Sequence, residues 1–138
     1  VRARSADRVG VVVAAATSLV TGVIVGACGT LVHRSDLGGF PAGLALALFA
    51  AAVGAVFARA VGDGVAVFVY GLAGLLTCQV MTFVAPGGDV LVTDQALSYA
   101  WLLGLPLMAL AAAFTPRAWY SDLPAPRPRH TAGPSAND

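Results

Sequence analysis

The sequence has neither lysine nor glutamate: its eight basic residues are all Arg and its seven acidic residues all Asp. Charged residues make up 11% of the 138, against about 25% in an ordinary soluble domain. Together with 58% hydrophobic residues and a mean hydropathy of +0.81, this excludes a soluble single domain. The composition, rich in Ala, Gly, Val and Arg, points to a GC-rich genome rather than to an activity. With a net charge of +1, and with no basic stripe interleaved with aromatics, the chain also lacks the footprint of a nucleic-acid binder. Only two cysteines occur, Cys28 and Cys78, each inside an apolar run and without the close partners of a disulfide framework or zinc site.

What is present is a set of long apolar runs. Residues 10–32, 42–58, 65–85 and 96–115 contain no Asp, Arg or His, and their lengths lie at or near the roughly 20 residues that cross a 30 Å hydrocarbon core. Backbone groups in lipid must be satisfied within the chain, and these runs do not alternate like barrel strands, so they read as helices. The expected fold is all-α, an integral membrane bundle of four transmembrane helices over residues 10–117. A short flank, 1–9, precedes it. A Pro- and Arg-containing tail, 118–138, lacks the apolar residues to repay ordering.

Between the spans, His33 to Pro41 reads as a solvated loop, with Pro41 suited to the first turn of the second helix. Gly62, Asp63 and Gly64 form a connection so short that the second and third spans must be antiparallel neighbours. Pro86, Gly87 and Gly88 end the third span, and Thr93 or Asp94 can cap the fourth. With four spans, seven of the eight arginines fall on one side: Arg2, Arg4, Arg8, Arg59, Arg117, Arg127 and Arg129, with Arg34 alone on the other. The positive-inside rule then puts both termini in the cytoplasm of a bacterial plasma membrane. Arg59 is expected to snorkel to the headgroups. Tyr99 and Trp101 at one boundary, and Trp119 and Tyr120 at the other, read as interfacial aromatic belts.

Small residues recur at helical spacing. Ser18, Gly22, Gly26 and Thr30 follow one another every fourth residue in the first span. Ala50, Gly54 and Ala58 repeat the pattern in the second, and Gly71, Gly74 and Cys78 in the third. Such stripes let helix backbones approach closely when lipid removes the hydrophobic drive to associate. They serve either packing within the four-helix bundle or docking to a second copy or a larger membrane complex.

The absence of ionisable residues at depth argues against proton-coupled pumps and small multidrug exporters, which need an intramembrane carboxylate or its equivalent. Gln79, with Thr77 and Thr82, is the most polar spot in the apolar runs and is read first as an interhelical hydrogen bond. With a kink at Pro106, these residues could instead line a path for a neutral or lipid-like solute. Val25 to Cys28 also has the look of a lipoprotein cleavage site, which would remove the first span. Cys28, His33 and Asp36 include metal-binding residue types, but their spacing matches no zinc pattern. No nucleophile elbow, phosphate loop or HExxH is found, so neither enzyme activity, metal nor cofactor is expected. The function expected is that of an accessory or interaction subunit whose partners are the lipid bilayer and other membrane helices, with a transporter or permease-like component as the alternative.

The layout, with HRSDLGGFP running into AGLALAL at residues 33–48 and SYAWLLGLPLMALAAAF at 98–114, resembles the small four-helix integral membrane proteins of actinobacteria grouped as a domain of unknown function. The resemblance implies the four-span fold and a plasma-membrane location. It brings no activity and no site residues.

Overall fold

The protein, described here from a computed structural model, is resolved in detail over residues 2–83 and 96–120, with side chains from residue 7 onward. It is an all-α bundle of four helices: α1 (Arg2–Val32), α2 (Ala42–Val61), α3 (Gly64–Phe83) and α4 (Ala96–Ala113). Each is long and apolar enough to cross a membrane, α1 through its stretch Asp7–Val32. The Thr93 and Asp94 caps, the Pro86 to Gly88 turn and the tail beyond residue 120 lie outside the described residues.

The helices run past the apolar stretches wherever good helix formers continue the pattern. α1 starts at Arg2 rather than Gly10, because the Arg- and Ala-rich flank disfavours nothing in the helical state. α2 continues through Arg59 to Val61, and the N–H of Gly62 closes its end on the Ala58 carbonyl at 3.1 Å. Pro41 stands one position earlier than expected, immediately before α2 rather than within its first turn. The loop from α1 to α2 turns at Gly38 and Gly39, both at positive φ (61° and 88°), between reciprocal backbone bonds of Leu37 and Phe40. Positive φ at both central residues is the type I′ pattern, which glycine adopts without steric cost. After α4, Arg117–Tyr120 forms a 3-10 turn, held by Tyr120 Oη 3.0 Å from Thr115 Oγ1.

Around the bundle the order is α1, α2, α4, α3: α1 packs most extensively on α3, while α1 and α4 barely touch. The short connection does make α2 and α3 antiparallel, but they meet across the bundle with less contact than either makes with its flanking helices. α1 and α3 run parallel in fixed register, Gly26 against Gly74 and Thr30 against Cys78, each pair 48 residues apart. A Cβ on Gly26 would lie 2.6 Å from the Gly74 carbonyl oxygen and 3.0 Å from its Cα, so backbone meets backbone there. α2 lies diagonally across the bundle from α3. The α2–α3 diagonal is filled by Tyr70, whose ring fits the space left by Gly54 and whose hydroxyl donates to the Ala51 carbonyl at 2.8 Å.

Candidate functional site

The small-residue stripe of α1 faces inward. Ser18, Gly22, Gly26 and Thr30 are all buried, and a Cβ on Gly22 would collide with the Tyr70 carbonyl oxygen and approach Ala73. On α2, Gly54 and Ala58 are buried, whereas Ala50 lies at the edge of a buried row that includes Gly43, Ala47, Ala51 and Ala55. On α3, Gly74 and Cys78 are buried and Gly71 is half-buried beside Ala109 of α4. The three stripes therefore lie against one another or against α4, inside one chain.

Polar groups converge at the end of the bundle where α1 stops. Thr30 donates to the Gly26 carbonyl at 2.7 Å, the Cys78 thiol lies 3.3 Å from the same hydroxyl, and the indole N–H of Trp101 donates to it at 3.2 Å. Gly29 makes room for the Trp101 ring, which a Cβ there would overlap. His33, one residue beyond α1, lies over Trp101 with ring centroids 6.5 Å apart and planes 20° from parallel. Its Nδ1 is 2.8 Å from the Thr30 carbonyl, which only accepts, so Nδ1 carries the proton. Nε2 then accepts from the Ser98 hydroxyl at 3.4 Å. Burial, reinforced by Arg34 beside it, holds the imidazole below the usual histidine value of 6.5, with its bonds to Thr30 and Gly29 only partly offsetting this.

Two sequence expectations are corrected here. His33 is not a solvated loop residue, and Trp101 is not part of an interfacial belt: both have 0% exposure. Trp101 can be buried because Thr30 satisfies its N–H and Gly29 removes the steric obstacle. Trp119, by contrast, is 75% exposed, and Tyr99 is exposed as well. Cys28 and Asp36 are also exposed, apart from His33, and among the described residues no three His, Cys or Asp side chains gather as metal ligands would.

The residues considered for a polar path are not brought together. Gln79 stands on the exposed side of α3, one position from the buried Cys78, where it forms no part of the interior. The Thr77 and Thr82 hydroxyls donate back into their own helix, to the Ala73 and Cys78 carbonyls at 2.8 and 2.7 Å. Pro106 lies elsewhere, inside an α4 that remains one helix from Ala96 to Ala113, on a furrow shared with the first half of α3. The axis is occupied by Tyr70, Val67, Leu105 and Trp101, each no more than 2% exposed.

At the opposite end the start of α1, the α2–α3 turn and the end of α4 come together. Asp7, Gly62, Asp63 and Arg117 border an open cavity of about 410 Å³, across which Arg117 pairs with Asp63 at 2.5 Å. Arg59 reaches to the segment just beyond α4 and donates from Nη2 to the Thr115 carbonyl at 3.2 Å.

Sequence did not single out Tyr70 or Ala51, and it named Trp101 and His33 without showing that they are buried. The one available signal was the four-residue row Gly43, Ala47, Ala51, Ala55, which is hidden because alanine also fills the neighbouring positions of α2. No family model, curated protein or solved structure matches this chain.

Proposed function

We propose that the chain is a non-catalytic accessory or interaction subunit of a bacterial plasma membrane, both termini cytoplasmic, of the kind suggested by its resemblance to small actinobacterial four-helix proteins. The carrying observation is the filled axis. Four large side chains close it, and the Tyr70, Trp101, Thr77 and Thr82 polar groups bond to neighbouring helices or back to their own, whereas the buried Ser18 hydroxyl has no partner among the described residues. Such a bundle supports structure in the membrane better than passage of a solute. The arginines support the orientation, since Arg59 and Arg117 lie at the end of the bundle where α1 begins, and Arg34 lies at the other.

Purification in nanodiscs should yield a partner at fixed stoichiometry that is lost when lipid-facing positions of α1 such as Val20 and Ile24 are changed to bulky aromatics. Solute flux by the isolated protein in liposomes would overturn the reading. For topology, in a Cys28→Ser background, a membrane-impermeant thiol reagent should label Leu37→Cys on intact cells and Trp119→Cys only after lysis. The reverse pattern would invert the orientation.

A further inference from the structure

We propose that the chain forms a parallel dimer through the outer face of α3, in which the carboxamide of Gln79 pairs with that of Gln79 in a second copy. The threonine hydroxyls of the helices are settled locally: Thr17, Thr21, Thr77 and Thr82 each donate to the carbonyl four residues earlier in their own helix. A carboxamide has no such return route for its oxygen, because the backbone N–H groups around it are already engaged in the helix. Gln79 is exposed and forms no hydrogen bond among the described residues.

Depth makes that isolation costly. α3 has 20 residues and at 1.5 Å per residue is about 30 Å long, the thickness of the hydrocarbon core. Gln79 stands four residues before its end at Phe83, about 6 Å below the nearer surface, and Val80 and Phe83 are exposed on the way out. Helical side chains tilt toward the helix N-terminus, which for α3 is the opposite surface. The amide therefore leans toward the midplane, over the turn of Leu75 and Leu76, rather than out to the headgroups. Water does not reach it there, so the missing partner must come from another chain.

A second copy supplies that partner without further assumption. Copies oriented by the same arginines present Gln79 at the same depth, and about a twofold axis along the membrane normal the residue meets itself. A carboxamide is self-complementary, since the N–H of each can donate to the oxygen of the other. The rest of the face has the spacing of such a contact. Val65, Phe68, Leu72, Leu75, Gln79 and Thr82 follow at alternating intervals of three and four residues, the a and d rows of a left-handed coiled coil, and none of them is buried within the chain. Gln79 takes an a position in line with Val65 and Leu72, where a single polar residue fixes register and the number of helices. Tyr70 and Gly74, which pack inside the bundle, lie on the other side of α3, so the dimer leaves the fold unchanged. It also leaves free the α1 face and the partner proposed for it.

The test is association of the purified full chain in phosphatidylcholine liposomes. The readout is Förster transfer between copies labelled at Leu37→Cys in the Cys28→Ser background, as the protein is diluted in lipid. The expected result is a dimer that Gln79→Leu, similar in size, weakens about tenfold, the factor of two interhelical hydrogen bonds. Adding Val80→Gln to Gln79→Leu moves the amide about 100° around the helix and should not restore association. In the Cys28→Ser background, copper phenanthroline should cross-link Leu72→Cys into dimers and leave Val53→Cys, on the exposed side of α2, uncross-linked. A wild type monomeric at every density, equal affinities for wild type and Gln79→Leu, restoration by Val80→Gln, or cross-linking at Val53→Cys as efficient as at Leu72→Cys would each overturn the proposal. Circular dichroism separates lost association from lost fold, and should Gln79→Leu not fold, the cross-linking pair decides alone.

Discussion

The sharpest consequence of the α1–α3 register is the effect of a single methyl group at Gly26. The Cβ of Gly26→Ala would sit 2.6 Å from the Gly74 carbonyl oxygen and 3.0 Å from its Cα. A relaxed carbon–oxygen contact is about 3.3–3.6 Å, so the shortfall is about 0.7–1 Å. Both atoms met are backbone, so no rotamer change relieves the overlap and the helices must separate. A gap of 0.5–1 Å forfeits about a quarter to a half of each dispersion contact across the interface. Overpacking of this kind costs about 1–3 kcal/mol, while the better helix propensity of Ala returns at most about 1 kcal/mol. The net expectation is destabilisation by about 1–2 kcal/mol. Gly10→Ala is the matched control, because a Cβ there meets nothing within 4 Å, and it should be neutral or slightly stabilising. Reversible unfolding in mixed micelles of rising dodecyl sulfate content, followed by circular dichroism, measures both. Equal midpoints for Gly26→Ala and Gly10→Ala would refute the parallel glycine contact between α1 and α3.

Three further outcomes follow from the packing. Tyr70→Phe removes the hydroxyl bonded to the Ala51 carbonyl and should cost about 0.6 kcal/mol, at most about 2, in the same unfolding assay, since a side-chain hydrogen bond inside a membrane bundle rarely contributes more. In a Trp119→Phe background, Trp101 should emit as a buried indole and resist acrylamide; emission typical of a headgroup-level tryptophan would place it back in the belt. His33, neutral in the bundle and held below 6.5, binds its proton more weakly folded than unfolded. Its contribution is therefore fully retained above about pH 6.5 and falls as the pH drops from there through the lowered folded value, where the unfolded state takes up the proton first. His33→Gln should remove that slope, and an identical acid response in the variant would assign the loss to other groups.

The fold was legible because membrane insertion constrains sequence so strongly. Four charge-free runs separated by Gly, Pro and Asp leave helices as the only way to satisfy the backbone, and the described helices coincide with the four runs apart from extra residues on α1, α2 and the start of α3 and an α4 that stops at Ala113, two residues short of the expected end. Arrangement was less legible. The connection Gly62–Asp63 requires antiparallel α2 and α3, yet the order around the bundle depends on which small-residue stripe meets which, and glycine and alanine stripes occur on several helices. What decides is the depth of approach. Gly22 and Gly26 bring the α1 backbone against that of α3 at Tyr70 and Gly74, and this contact sets α1 against α3 and leaves Tyr70 to span the remaining diagonal to Gly54 and Ala51.

The cluster at the end of α1 was hidden for a related reason. Trp101 and His33 are the residue types that normally occupy the interface, and by position along the chain they belong there. Their burial depends on pairwise complementarity across 71 residues of sequence, with an acceptor at Thr30 for the indole and a vacancy at Gly29 for its ring. Hydropathy averages over such pairs. A polar residue next to an apolar run is therefore ambiguous between facing water and closing the bundle, and what separates the two is whether a neighbouring helix supplies both the missing hydrogen-bond partner and the space. At Trp101 both are supplied. At Gln79, one position past Cys78 on α3, the helical rotation carries the side chain to the exposed side instead, and the same polarity that suggested an internal contact leaves it on the outer surface.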